Sequence, residues 1–187
     1  MTASKKSSKN VNASYQVWRK KRLENKPELM TLLDLAGGVT TRVGETFFTS
    51  FITNLAQALK ADTALVGELV RPACTHIRTI CVVQNGQVVE NFEYELAGTP
   101  CSTIIGKKIS SYDRVQEHFP QDALLLEGGI HCYVGAPLFD AEGQALGIIV
   151  VLFRRPIKDV PMAESLLSIF AARASAELMR IQAEKAL

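Results

Sequence analysis

The stretch His76-Ile77-Arg78-Thr79-Ile80-Cys81-Val82-Val83-Gln84-Asn85-Gly86-Gln87-Val88-Val89-Glu90-Asn91-Phe92-Glu93-Tyr94 decides the fold. Two β-rich runs, His76 to Val83 and Gln87 to Tyr94, flank Asn85-Gly86, a pair suited to the positive φ angles of a two-residue hairpin turn. The pattern predicts two antiparallel strands. In the second, Val88, Glu90, Phe92 and Tyr94 share one face and Asn91, Glu93 and Glu95 the other. Its aromatic side is therefore expected to point inward while the opposite side meets water.

Working outward toward the N-terminus, Thr63 to Val70 is a third strand-like run. Before it, Phe48, Phe51, Ile52, Leu55, Ala58 and Leu59 recur at spacings of three and four, which marks one apolar helix face that Lys60 and Asp62 end. Toward the C-terminus, His131 to Phe139 and Ala145 to Phe153 read as strands joined by the turn Asp140-Ala141-Glu142-Gly143. The run from Ala145 is apolar on both faces, so it is expected to be central and covered on both sides. Gly135 and Gly147 permit bends or close backbone approach, and Pro137 forfeits an N–H, so its strand is expected to end or bulge there. Met162 to Leu187 predicts a long helix, with Leu167, Phe170, Ala174, Leu178 and Ile181 on one face. Beside them Ala171, Ala172, Ser175 and Ala176 are small enough to let another helix approach.

Residues 97–129 break the regularity. Gly98-Thr99-Pro100-Cys101 leads to a short apolar piece at Ile104-Ile105, then Gly106, then a polar piece from Asp113 to Phe119. Pro120 is expected to open a short helix that Gly128-Gly129 stops. Connections this long inside a compact domain are commonly functional loops, so a site is expected here.

Composition sets the frame. With 187 residues, 47% hydrophobic and 21% charged, the chain is globular and of a length for one domain with appendages. Cys74, Cys81, Cys101 and Cys132 are spread out, with no CxxC pair and no clustered His, which argues against a zinc site and against a secreted disulfide framework. A reducing compartment, the cytoplasm, fits best. No secretory signal and no apolar run of membrane-span length is present, so no membrane partner is expected. The net charge of +2 is uneven: residues 1–26 carry +7 and the remainder −5. The reading is thus a basic, partly disordered arm with a short helix over 1–38 and a folded domain over 39–187. Such an arm could touch nucleic acid, but its lysines sit among serines without aromatic interleaving, and a solvated tail is the better reading.

Several segments carry a resemblance. They are Glu93-Tyr94-Glu95-Leu96-Ala97-Gly98-Thr99-Pro100-Cys101, Val115-Gln116-Glu117-His118-Phe119-Pro120-Gln121-Asp122-Ala123-Leu124-Leu125, Tyr133-Val134-Gly135-Ala136-Pro137-Leu138-Phe139-Asp140, Gly143-Gln144-Ala145-Leu146-Gly147 and Ala171-Ala172-Arg173-Ala174-Ser175-Ala176-Glu177-Leu178. In the order helix, three strands, long excursion, two strands, long helix, the chain resembles the GAF domains of bacterial signalling proteins. The resemblance implies an α/β (α+β) fold: a central antiparallel sheet of five to six strands, the N- and C-terminal helices packed on one face, and a helical and loop excursion on the other. It also implies a sensory or regulatory module that binds a small molecule, or pairs as a homodimer through its terminal helices, to relay a signal to a partner protein. The ligand is not named by it, since the family binds cyclic nucleotides, bilins, haem, small acids or nothing known.

The site expected under the excursion consists of Phe92, Tyr94, Cys101, Ser102, Thr103 and Tyr112, an apolar cavity with a few hydroxyls. Cys101, at the start of a predicted helical turn, invites a thiolate reading; the GAF resemblance favours a small apolar contact in a loop closing over the pocket. GAF-fold reductases of free methionine sulfoxide use a cysteine in a comparable loop with a partner cysteine about ten residues on. Here Ser111 stands near that place, so no catalytic residue is assigned. Pigment-binding members attach bilin through a cysteine followed by His, whereas this chain has His131-Cys132, and no bilin, haem or metal signature is read. His76 and His118 read as surface or loop residues.

Overall fold

The computed structural model describes residues 45–186. The arm expected over 1–38, and the first residues of the domain expected from 39, lie outside them. Helix α1, Glu45–Leu59, is followed by strand β1, Thr63–Leu69, and strand β2, His76–Gln84. Short strands β3, Gln87–Val89, and β4, Glu93–Glu95, come next. The excursion contains a 3-10 turn at Pro100–Thr103, strand β5 at Ser110–Tyr112, helix α2 at Val115–His118 and helix α3 at Ala123–Glu127. Strands β6, Cys132–Phe139, and β7, Ala145–Phe153, precede the long helix α4, Val160–Lys185.

The seven strands form one antiparallel sheet in the order β3-β2-β1-β7-β6-β5, with β4 also paired to β2. The decisive hairpin turns at Asn85 and Gly86, whose φ angles of 50° and 78° are those of a type I′ turn. Strand β7 is central, flanked by β1 and β6, and buried along almost its whole length. Gly147 is required there because a Cβ would collide with the Gly67 carbonyl on β1. Asp140 caps the β6–β7 turn by accepting hydrogen bonds from the Glu142 and Gln144 amides.

One face of the sheet carries α1 and α4. Phe47, Phe48, Phe51, Ile52 and Leu55 are buried there against Leu166, Leu167, Phe170 and Ala174. The two helices meet where the Phe51 and Phe170 rings lie 4.5 Å apart, a contact that adds to the burial of both rings. Ser175 joins helix to sheet by accepting the Phe139 amide hydrogen at 3.1 Å. Asp159 caps the start of α4 by accepting from Met162 N. The other face carries the excursion, over a second apolar cluster containing Leu65, Ile77, Ile104, Tyr133, Ile148 and Val150.

Four expectations are corrected. The third strand-like run is two strands, because β2 carries a bulge: Val66 pairs with Cys81 but Gly67 with Thr79, leaving Ile80 unpaired. An extra residue reverses which side chains face inward beyond it. The neighbouring strand follows: Val89 and Tyr94 face the excursion, Val88 is 53% exposed, and Glu90-Asn91-Phe92 bridges the two pieces. Asn91 Nδ2 donates to the Ile80 carbonyl and Phe92 N to Thr79 Oγ1, which fixes the irregular segment. Second, β5 is an additional strand, paired to β6 through Ser110, Ser111 and Tyr112. Third, α3 begins after Asp122, whose carboxylate caps it, and not at Pro120. Fourth, β6 continues through Pro137 and the register shifts between Leu138 and Phe139.

Candidate functional site

A cavity of about 370 Å³ lies between the sheet and the excursion. Its floor is the inward face of the central strands, including Leu65, Val82, Val150 and Leu152. One wall is the irregular edge at Val89, Glu90, Phe92 and Tyr94; the roof is Pro100, Cys101 and the α3 region from Asp122 to Ile130. In β1 and β7 alternate residues face the cavity and the helical layer, so a single sheet serves both cores.

The polar centre is a thiol between two phenols. Tyr94 Oη lies 3.2 Å from Cys101 Sγ, which lies 3.3 Å from Tyr133 Oη. Gly135 makes this possible: a Cβ there would collide with the Tyr133 hydroxyl, so the bare backbone lets the phenol lie over it toward Cys101. Burial pushes the Cys101 thiol above its ordinary range, against hydrogen bonds from Tyr133 and Tyr94 that favour the thiolate. Burial likewise raises both phenols well above theirs, and the Cys101 charge adds to the effect. The centre is neutral, a set of hydroxyl and thiol groups able to donate and accept hydrogen bonds.

Asp122 is the charged member. Its carboxylate accepts the Leu125 amide hydrogen at 3.2 Å as the α3 cap, and burial raises its pKa. It lines the same cavity as Tyr94 and Cys101, and its charge adds to the upward push on both. Among the described residues it has no ion pair. Glu90 is the second carboxylate of the lining, and among the described residues no Lys, Arg or His belongs to it. Arg154 stands nearby, but its Nε donates to the Gly128 carbonyl at 2.9 Å, strapping the end of α3 to the sheet.

Of the residues expected from sequence, Phe92, Tyr94 and Cys101 line the cavity. Ser102, Thr103 and Tyr112 stand outside the lining. Ser102 and Thr103 hydroxyls donate to the Thr99 and Pro100 carbonyls, closing the 3-10 turn, and Thr103 Oγ1 lies 2.8 Å from Tyr112 Oη. The Tyr112 ring packs among His118, Phe119 and Tyr133. Burial raises the Cys101 thiol above its ordinary range despite its place on the short 3-10 turn. Ser111 donates to Glu164 on α4, on the other side of β5 from that thiol. Asp122 and Tyr133 were missed. Tyr133 sits in a run with no alternation, and Asp122 carries the signal of a cap, three residues before Leu125, which says nothing about a cavity.

No family model matches the sequence, and no curated protein matches it. Solved structures do match. The GAF domain of an Acinetobacter phosphoenolpyruvate-protein phosphotransferase superposes with a TM-score of 0.66 at 16% identity, covering 83% of this chain and 94% of that one. The corresponding domain from Coxiella burnetii gives 0.64 at 14% identity, with 86% and 96% covered. The fold is that of a GAF domain. A domain of a putative two-component sensor histidine kinase from Sinorhizobium meliloti 1021 also superposes, at a TM-score of 0.57 and 16% identity over 78% of this chain and 97% of that one. Among the described residues, no helix is long and apolar enough to cross a membrane.

Proposed function

We propose that this chain is a sensory or regulatory GAF module whose cavity holds a small, mainly apolar molecule that is neutral or cationic. The carrying observation is the lining: apolar walls, a neutral thiol–phenol centre and two carboxylates, with no basic side chain among the described residues. An anion entering would meet Asp122 and Glu90 with no basic side chain of the described lining to balance its charge. An amine on an apolar body would neutralise Asp122 in a site of low polarity, where pairing matters most, and could lie against the rings of Phe92, Tyr94 and Tyr133. The size falls in the range of small-molecule sites. Similar domains occur in a phosphotransferase and a putative sensor kinase, which supports a signalling context for this one, with the basic residues before 39 as an appended arm and the cytoplasm as its compartment. Cys101 acts in this reading as a hydrogen-bonding wall residue and not as a nucleophile.

The test is a thermal-shift and native mass-spectrometry panel of matched compounds: phenethylamine, phenethyl alcohol and phenylacetate. Stabilisation by the amine and alcohol but not the acid supports the reading, since a ligand that binds only the folded state raises its stability by mass action. Preference for the acid removes the charge argument. Failure of all three, with no retained mass on the purified protein, removes the ligand-binding reading.

We also propose that two copies pair through the terminal helices. On α4, Ile169 is 41% exposed, with the small residues Ser168, Ala172 and Ala176 exposed around it, a surface that lets a second helix approach closely. Light scattering should give a dimer that Ile169→Glu converts to a folded monomer; a monomeric parent at high concentration removes the claim.

A further inference from the structure

Away from the cavity, three side chains converge at the outer end of the β5–β6 pair. Asp113 follows β5, and His131 and Cys132 open β6. Cys132 Sγ lies 3.1 Å from Asp113 Oδ1, His131 Nδ1 lies 3.2 Å from the same oxygen, and His131 Nδ1 lies 3.2 Å from Cys132 Sγ. Among the described residues, this is the group of three metal-ligating side chains whose ligand atoms lie close enough to share one ion. The structure assigns a divalent metal site of the zinc class to Asp113, His131 and Cys132.

The shape of the cluster separates this from the other reading of a Cys, a His and an Asp. A nucleophilic relay needs the imidazole between its partners, one nitrogen on the acid and the other on the thiol. Here a single atom, Nδ1, faces both, so no relay can run. Three ligand atoms forming a near-equilateral triangle is the arrangement of a metal polyhedron. Ligands at zinc distances, about 2.0–2.2 Å for nitrogen and oxygen and about 2.3 Å for sulfur, give tetrahedral edges of roughly 3.3–3.6 Å. The observed edges reach this by an outward shift of a few tenths of an ångström.

Charge and surroundings agree. A thiolate and a carboxylate with a neutral imidazole supply the two negative charges that a divalent ion requires. The thiolate–imidazole–carboxylate set suits a borderline-soft ion such as Zn²⁺ better than Mg²⁺ or Ca²⁺, which take oxygen. The imidazole is held from its backbone, His131 N donating to the Phe153 carbonyl at 2.7 Å and His131 O accepting from Val115 N at 2.9 Å. The Asp113 side chain is 67% exposed and that of His131 34%, so the fourth position opens to solvent while the sulfur is buried. Arg114 lies near the other oxygen, Asp113 Oδ2, at 4.0 Å, which leaves Oδ1 to the cluster. The next residue pair inward is Tyr112 with Tyr133, so an ion clamping 113 to 132 would brace the strand end from which Tyr133 reaches the cavity.

The experiment is Co²⁺ titration of the chelator-stripped full chain, followed by displacement with Zn²⁺. One equivalent of Co²⁺ should give a thiolate-to-metal charge-transfer band with intense tetrahedral visible absorption, both lost on adding Zn²⁺. The band should vanish in Cys132→Ser and persist in Cys74→Ser and Cys101→Ser. Because Cys132 is buried and its substitution disturbs the core, Asp113→Asn, exposed and structurally mild, decides independently: Co²⁺ binding should weaken by roughly tenfold or more. A parent without the band at stoichiometric Co²⁺, a band that survives Cys132→Ser, or unchanged affinity in Asp113→Asn would each overturn the assignment.

Discussion

The Tyr133 hydroxyl lies 3.3 Å from the sulfur of Cys101, across 32 positions of sequence. This contact ties the roof of the cavity to its floor, and it is made by groups that the fold keeps protonated. Burial raises Cys101 above its ordinary value of 9.0 and raises Tyr94 and Tyr133 well above 10.0. A group whose folded pKa is raised contributes stability that is complete below its unfolded value and lost as pH rises through the folded one. Urea midpoints should therefore hold from neutral pH to about 9 and fall above it. Cys101→Ala, which leaves two buried phenols short of a partner, should cost about 1–3 kcal/mol at neutral pH and flatten the alkaline fall. An alkaline fall of equal slope in Cys101→Ala would place its origin elsewhere.

Gly135 is the residue that lets this contact form. A methyl group at 135 would overlap the Tyr133 hydroxyl and crowd Ile104. Both neighbours are fully buried, so neither can move aside without disturbing the cluster around it. Gly135→Ala should destabilise by about 1–3 kcal/mol, the range for overpacking a closed core, and should lower the affinity of any cavity ligand. Chemical denaturation reads the first effect. Unchanged stability would mean that Tyr133 has another place to go.

How much of this was legible in the sequence follows from where the information lies. Strand β7 was readable from Ala145 to Phe153 because a run apolar on both faces has one use in a sheet. The turn at Asn85-Gly86 was readable because few residue pairs accept its φ angles. The inward face of the next strand was misread because the bulge at Ile80 reverses alternation, and nothing local to Ile80 announces an unpaired residue. Strand β5 spans three residues, Ser-Ser-Tyr, and owes its existence to pairing with Tyr133, Val134 and Gly135. The cavity needed Asp122 and Tyr133 placed beside Tyr94 and Cys101, and the Asp113, His131 and Cys132 cluster needed residue 113 brought to 131. Those are tertiary facts with no spacing signal, which is why no metal signature is read from the sequence around Asp113 or His131-Cys132.

The hairpin turn offers a measurement free of packing. Gly86 has φ of 78° and a Cβ built on it meets nothing within 4 Å. Any cost of Gly86→Ala is then backbone strain in the left-handed region, about 1–2 kcal/mol. Gly86→Asn should cost less, since Asn tolerates that region. Equal losses for Ala and Asn in urea denaturation would show that the turn does not keep its type I′ geometry in the variants.

Asp122 separates function from stability at one position. Its carboxylate caps α3 through Leu125 N, the residue lines the same cavity as Cys101 and Tyr94, and it has no ion pair among the described residues. Burial raises its pKa from 3.8, so the folded state favours the protonated acid. By the same linkage, its contribution is complete below pH 3.8 and is lost as pH rises through the raised value, leaving an uncompensated charge at neutral pH. Asn is as good a helix cap as Asp. Asp122→Asn should therefore match the parent in acid and exceed it slightly in urea midpoint at pH 7. In the ligand panel the same variant should lose its preference for phenethylamine while keeping that for phenethyl alcohol. A variant less stable than the parent at every pH would show that the cap, and not the charge, governs this residue. Retained amine preference would move cation recognition to Glu90, the other carboxylate of the lining.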